Sequence, residues 1–534
     1  MTRSGRILWG LLVVLLIVCN GGGCGKRDAP GSSSKSLAGR GGLGQTIGQV
    51  GKVVYSKSLA MEGYGLVGGL PGTGSAECPP PVKEYLRRYA QSQMANDRSV
   101  DIDQLMKSRQ TAVVYLEASL QAAPLRADVF DVKVTAVSQD QDTSLDGGWL
   151  YTAELNPKGL PVAPVRSFAL ADGPVYIDKL SSATIDKRVG YILGGGRLFE
   201  QPQVLLVIGR EDFRMASAVR DLVNDRFGPQ TARALSPKQI ELQVPLAYKD
   251  HRWRFFSMVE AIYLDQSPRV IQGRVTTLVR ELAVMPDKAS REIALEALGP
   301  TSLAKLGVLL QSSDEQVRIS AARCMLNLGS PRGLETLAAI ASDSRSPRRQ
   351  EAIKALAVAG LAPQVVSVLQ GLLENQDLEV TLTAYEELLK LDPGALPSVP
   401  TAGGIILDQL PSVPHKAVVA LRSGKARIAL FGQIACQPGR LFESQDGTIS
   451  LDSRVGQAFL LATRKHPIRG SVMGPLRSSL KLHDLIQVLC SEPVIERQGQ
   501  GGLGLSYSDL LALLKQACDR GFVDAEFWAG PLLR

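Results

Sequence analysis

Between residues 130 and 136 apolar and polar positions alternate strictly: Phe130, Val132, Val134 and Ala136 are apolar, with Asp131, Lys133 and Thr135 between them. That period of two predicts a half-buried strand. Ile240, Leu242, Val244 and Leu246 repeat it around Glu241, Gln243 and Pro245, and Val204 to Ile208 is a short continuous apolar strand. Between these last two the period lengthens. Asp212 can cap a helix whose apolar face is Phe213, Ala216, Val219, Leu222 and Val223, and Gly228 ends it after Phe227. Strand and helix signals together give the stretch from about 50 to 260 an α+β or α/β character.

From about 268 to 395 helix formers dominate and a repeat emerges. Leu298-Gly299, Leu328-Gly329, Ala359-Gly360 and Leu391-Asp392 close four similar helices, at intervals of 30, 31 and 32 residues. Asp314-x-x-Val317-Arg318 opens one unit and Asp377-x-x-Val380 another. Two helices per unit at a period near 30 resemble the short HEAT-like repeats of an α-solenoid; a plain helical bundle with accidental similarity is the competing reading. Such a stack presents surface to partners and has no chemistry of its own. Pro393-Gly394, Pro397, Pro400 and Gly403-Gly404 mark a linker. A smaller mixed region follows, in which Ser508-Asp509 starts a last helix with Leu510, Leu511, Leu513 and Leu514 on its apolar face.

The first residues read as an export signal. Arg3 and Arg6 precede an apolar run from Ile7 to Val18, too short for a bilayer span of ~20 residues. Cys19 and Cys24 compete as a lipidated first residue. Small Gly21-Gly22-Gly23 favours Cys24 over Cys19, which follows Val18; cleavage near Gly23 with both cysteines incidental is the alternative. Ser32 to Ser34 and the glycines between Gly39 and Gly51 suit a flexible tether. Of 534 residues 45% are hydrophobic and 21% charged, which excludes a wholly disordered or multi-span membrane chain. Aromatics are only 5%, so the core must be aliphatic. The net charge of +8 is dispersed, with no basic run interleaved with aromatics, which argues against nucleic-acid binding.

Tests for chemistry fail one by one. Gly63-x-Gly65-x-x-Gly68 matches a dinucleotide fingerprint literally, yet Gly69, Pro71, Gly72 and Gly74 follow where a helix must begin. Gly69 to Ser75 echoes a P-loop but lacks its lysine. His251, His415, His466 and His483 form no helical zinc pair, and neither HExxH nor GxSxG occurs. Asp140, Asp142 and Asp146 lack the ligand order of a calcium loop and read as a solvated loop. Beyond the first two cysteines, Cys78, Cys324, Cys436, Cys490 and Cys518 contain no CxxC; pairing among Cys436, Cys490 and Cys518 is open. No catalytic residue, cofactor site or metal site is expected, and the chain reads as non-enzymatic.

Gly63-Tyr64-Gly65-Leu66-Val67-Gly68-Gly69-Leu70-Pro71-Gly72-Thr73-Gly74 resembles the signature of the bacterial flagellar P-ring protein family, approximately GYGLVVGLNGTGD. Gly68, Pro71 and Ser75 depart from it. The resemblance continues in order through Thr143–Leu150, similar to an SLxGGxL turn, and Phe168–Val175, similar to YALAQGPL. It goes on through Arg188-Val189-Gly190 with Gly194 to Gly196, and through Asp212-Phe213, Asn224, Phe227-Gly228 and Ala232. Ser508 to Leu514 and Gly521 look like a return of the family's terminal helix. The repeats, the region 405–500 and the candidate lipid anchor are foreign to that pattern.

The resemblance implies a structural protein. Identical subunits would close into a periplasmic homo-oligomeric P ring around the flagellar rod, a passive bushing meeting outer-membrane ring proteins and wall peptidoglycan. The helical repeats would hold a further protein partner. Gly63, Tyr64, Gly65, Leu66, Gly72, Thr73 and Gly74 form the expected signature loop and candidate subunit contact, with local core packing as the competing role of Tyr64 and Leu66. An envelope-associated binding or scaffold protein outside any flagellum is the alternative function. The expected architecture is multidomain: a signal over 1–24, a linker over 25–50, and a P-ring-like α+β region over 51–265. A HEAT-like α-solenoid over 268–395 interrupts it, followed by a Pro/Gly linker over 396–404 and a mixed region over 405–534.

Overall fold

A computed structural model describes residues 43–75, 77–93, 102–140, 143–159, 167–180, 185–358, 363–454, 458–465, 471–493 and 501–532. The signal, Cys24, most of the tether, Asp142, Ala359-Gly360 and His466 lie outside the described residues. Among those described, no helix is long and apolar enough to cross a membrane.

Six antiparallel strands close into a barrel. In order around it they are Leu59–Gly68, Ala112–Leu120, Val129–Ala136, Val189–Leu198, Ala169–Pro174 and Trp149–Pro157. Closure leaves no free sheet edge. The period-two pattern does what it predicts: Val132 and Val134 are fully buried and meet Met61, Leu116, Leu150, Leu155 and Ile192 in an aliphatic interior. Beside the barrel, Gly51–Val54, Val204–Ile208, Gln239–Leu242 and Ala232–Ala234 form an antiparallel sheet. Helices Phe213–Phe227 and Arg252–Ala261 pack in the same core. Asp212 caps the first of them by accepting from the amides of Arg214 and Met215, and Gly228 ends it at φ +107°. The strand begun at Gln239 stops at Leu242, short of the alternating pattern. Pro245 has no N–H for a ladder and opens a 3-10 turn, Leu246–Tyr248, that leaves Leu246 exposed.

Four helix pairs then stack: Pro268–Val284 with Lys288–Ala297, Leu303–Leu309 with Glu315–Asn327, Arg332–Ser342 with Arg349–Val358, and Pro363–Leu372 with Leu378–Leu391. Asp287, Asp314 and Asp377 cap the second helix of their pairs, while Gly299 and Gly329 take positive φ where chains must turn back. Side chains one repeat apart tie successive pairs together. Arg323 grips Glu292 at 2.8 and 2.6 Å, Asn327 donates to Glu296 at 2.9 Å, and Ser346 donates to Glu315 at 2.9 Å. The ladder starts before the repeats do: Arg254, on the helix of the preceding sheet core, donates to Glu296 at 2.8 and 2.5 Å. The solenoid is therefore welded to the N-terminal unit by a buried cluster of two carboxylates and their guanidinium partners.

The last solenoid helix packs on a mixed five-stranded sheet, ordered Ser398–Pro400, Ile406–Leu410, Arg427–Phe431, Ala417–Leu421 and Glu526–Ala529. A second, antiparallel sheet of four strands spans Leu441–Glu443 to Val472–Ser479. Helices Leu482–Cys490 and Tyr507–Asp519 fill the core between them, and the capping residue of the last helix is Ser506 rather than Ser508. The stretch 396–404 is not a free linker. Leu396 is buried, and Ser398–Pro400 pairs with Ile406–Asp408 as an edge strand, where proline's missing N–H costs no ladder bond. Ser398 also donates to the fully buried Asp408 at 2.6 Å. That carboxylate further takes Arg427 at 2.7 Å on both oxygens and the Tyr385 hydroxyl at 2.7 Å.

Because Asp408 is the shared acceptor of three donors, Asp408→Ala should cost about 3–5 kcal/mol by stranding the Arg427 charge. Urea unfolding followed by tryptophan fluorescence would register it. Removing the exposed Arg233 partner of Glu241 should leave the same transition in place.

Candidate functional site

The signature segment is the end of a barrel strand followed by a tight turn, rather than one continuous loop. Met61, Gly63, Gly65 and Val67 face the barrel interior and the residues between them face outward, as alternation demands. A Cβ on Gly63 would lie 2.2 Å from the Glu154 carbonyl oxygen; one on Gly65 would meet Leu150, Ala153 and Leu116. Pairing with Trp149–Pro157 shifts register between Glu62 and Val67, so the strand bends here, with its glycines letting the neighbouring backbone approach. Tyr64 and Leu66 point the other way. They pack in a small cluster with Val82, Leu86, Met106 and Val113, under the helix Pro80–Gln93. Tyr64 also lies 5.3 Å, ring to ring, from Tyr115.

Gly69 and Gly72 take positive φ, +74° and +89°, and stand exposed at the barrel end. The rest of the turn is pinned from both sides. Leu70 and Gly74 donate their amides to the carbonyls of Gln110 and Arg109, and Thr73 exchanges bonds with Ser144, hydroxyl to carbonyl and amide to carbonyl, at 2.9 and 3.0 Å. Gly74 is required by proximity, since a Cβ there would sit 2.1 Å from the Thr111 carbonyl oxygen. The similar turn at Thr143–Gly148 thus lies directly against the signature, and Gly148 packs on Val67 and Leu70. Next to it Trp149 and Tyr151 stand out on the strand's outer face, 50% and 43% exposed, with the Tyr151 ring over Gly68. Of the seven signature residues, Gly65 and Gly74 are buried, Gly63, Tyr64 and Leu66 are half-buried against the chain's own strands and helix, Thr73 is tied to Ser144, and Gly72 faces solvent.

A second constellation escaped sequence reasoning because Lys179 and Asp509 are 330 residues apart. Lys179 donates to Asp146 at 2.5 Å and to Asp509 at 2.6 Å, with its side chain only 13% exposed. Burial pulls its pKa down, but the two carboxylates outweigh that and hold it above the ordinary lysine value. Ile177 donates its amide to Ser508, Tyr507 donates to the carbonyls of Leu421 and Arg427, and Asp178 takes Arg422. On the next barrel strands Asp131 accepts from the amides of Gly194 and Gly424. The C-terminal unit is thereby docked on the barrel by the strand's exit at 176–179. Asp146, expected in a solvated acidic loop, is instead half of this bridge.

The remaining candidates have structural surroundings. His415 is bonded to the Gln376 carbonyl at 2.8 Å, His483 lies 3.1 Å from Asp484, and burial lowers the pKa of His251. Cys436, Cys490 and Cys518 are free thiols that burial pushes up to about 12, far from the reactive thiolate range. Among the described residues no three His, Cys, Asp or Glu converge on a metal position.

Residues 46–287 match the profile described as flagellar P-ring protein, and 275–357 match that of HEAT repeats. The chain resembles the flagellar P-ring protein family over its N-terminal half and HEAT repeats in its middle. A flagellar P-ring protein of Helicobacter pylori (strain P12) is 25% identical over 250 residues, 46% of this chain and 69% of that protein. Those of Anaeromyxobacter dehalogenans (strain 2CP-C) and Thermotoga maritima are 28% identical over 256 residues and 29% over 235, covering 44% and 41% of this chain and 64% and 66% of theirs. The P-ring-like match takes in the barrel, the adjoining sheet and the first solenoid helix; the terminal helix at 507–519 lies outside it.

Gly63→Ala and Gly74→Ala should each destabilise the P-ring-like region by more than about 3 kcal/mol, because backbone oxygens occupy the Cβ positions. Gly72→Ala, in open space, should cost only about 1–2 kcal/mol of backbone strain; thermal melts of the three variants would rank them. Lys179→Met should cost about 2–3 kcal/mol by leaving Asp146 and Asp509 facing each other. Hydrogen exchange should then rise across 507–519 while the barrel strands stay protected. Since the lysine's pKa is raised on folding, its contribution is complete at neutral pH and is lost only as pH climbs above its unfolded value near 10.5.

Proposed function

We propose that this protein is a structural, non-enzymatic component of a flagellar basal body, a P-ring subunit with a helical repeat module set into it. The observation that carries the reading is the match of 46–287 to the flagellar P-ring protein family, with the signature glycines at positions where the barrel cannot accept a side chain. On this reading the subunits form a closed periplasmic ring around the rod, a passive bushing for rotation. The terminal helix returning to the barrel through Ser508 and Asp509 supports treating the solenoid as an insertion between two parts of one unit.

Ring closure needs two different faces on each copy. Tyr64 and Leu66 pack half-buried within the chain, and the contact proposed here is the exposed turn at Gly72 with Trp149 and Tyr151 beside it. Electron cryotomography of flagellar bases with and without the gene tests the role: deletion should remove the periplasmic ring density and impair swimming. An intact ring and normal motility would refute it. In the complemented strain Trp149→Arg should give a folded, exported chain that fails to restore the ring.

A further inference from the structure

The solenoid carries a cleft that the P-ring reading leaves unused. It lies between helices Glu315–Asn327 and Arg349–Val358 and holds about 490 Å³. Arg323 forms one side. Arg348, Glu351, Lys354 and Val358, spaced three or four residues apart, form one stripe on the other, with Pro347 at its head.

The hydrogen-bonding capacity of these groups is unbalanced. Arg323 gives Nε and Nη2 to the buried Glu292 and keeps its Nη1 edge, with the side chain 20% exposed. Arg348 donates to one oxygen of Glu351 at 2.9 Å, so the single carboxylate of the lining is partly offset. Lys354 is exposed and has no partner among the described residues. The lining thus carries three cations, Arg323, Arg348 and Lys354, against the single carboxylate of Glu351, with the apolar Pro347 and Val358 at the ends of the stripe. The basic character does not continue along the stack. Gln350 donates to Glu379 of the second helix in the following pair, where Glu386 is also exposed, so a long polyanion would be repelled one repeat further on.

We propose that this cleft binds a short acidic polypeptide segment, one carboxylate reaching Lys354 and the free edge of Arg323 while an apolar neighbour rests on Pro347 and Val358. The site stands whether or not the chain builds a ring. It supplies the chemistry by which the repeats select a partner: charge for orientation, a small apolar contact for fit.

The test is fluorescence anisotropy with the exported full-length chain and a fluorescein-labelled peptide of alternating Glu and Leu. Saturable one-to-one binding is expected, weakened about tenfold by Lys354→Glu and unchanged by Lys305→Glu on the exposed face of another helix, with circular dichroism showing both variants folded. The same peptide with Lys in place of Glu should not bind. Equal losses in the two variants, no saturation below about 1 mM, or a muropeptide or polyphosphate displacing the peptide at lower concentration would each overturn the proposal. Ring assembly plays no part in the readout, so failure here leaves the basal-body role to its own experiment.

Discussion

The bridge of Lys179 between Asp146 and Asp509 is the contact on which the arrangement of this molecule turns. It joins a loop before one barrel strand, the exit of another and the N-terminus of the last helix, elements separated by more than 300 residues. An ammonium so deeply placed is tolerable only with opposite charge on both sides. Its neighbours add specificity rather than bulk: an amide to Ser508, a guanidinium to Asp178, and two backbone amides to Asp131. Such contacts fix one docking geometry, because each unmet donor or acceptor would be stranded by any other.

The solenoid is held at both of its ends. Arg254 anchors its first repeats to the sheet core before it, and Tyr385 anchors its last helix through Asp408 to the sheet after it. Between these anchors the one-repeat ladder of Arg323 with Glu292 and Ser346 with Glu315 keeps successive pairs in register. The barrel and the C-terminal unit meet directly as well, so the 268–395 stack spans two bodies that already touch. A stack anchored at both ends holds its outer surface at a set position relative to the units on either side.

The signature shows one motif serving both a strand and the turn that follows it. Its glycines suggested a loop available to a neighbour. They instead let a strand bend within a closed barrel, where carbonyls of Glu154 and Thr111 lie closer than any Cβ could. Glycine density by itself does not distinguish a flexible turn from a backbone pressed against another, because both require the missing side chain. Trp149 and Tyr151 stand exposed on the outer face of the neighbouring strand, ordinary strand residues whose outward exposure no local pattern marks.

Local periodicity and end signals in the sequence determined the individual elements. The alternation at 130–136, the capped helix after Asp212 and the repeat near 30 residues all rest on interactions within a few turns, which neighbours in sequence carry. The α+β region, the helical stack and the likeness to P-ring proteins were legible for that reason. Tertiary structure alone decided the closure of the barrel, the use of 396–404 as an edge strand, the docking through Lys179 and the cleft beside Arg323. Each depends on pairing between residues remote in the chain, and an ion pair or a close backbone approach leaves no period by which its two halves could be matched.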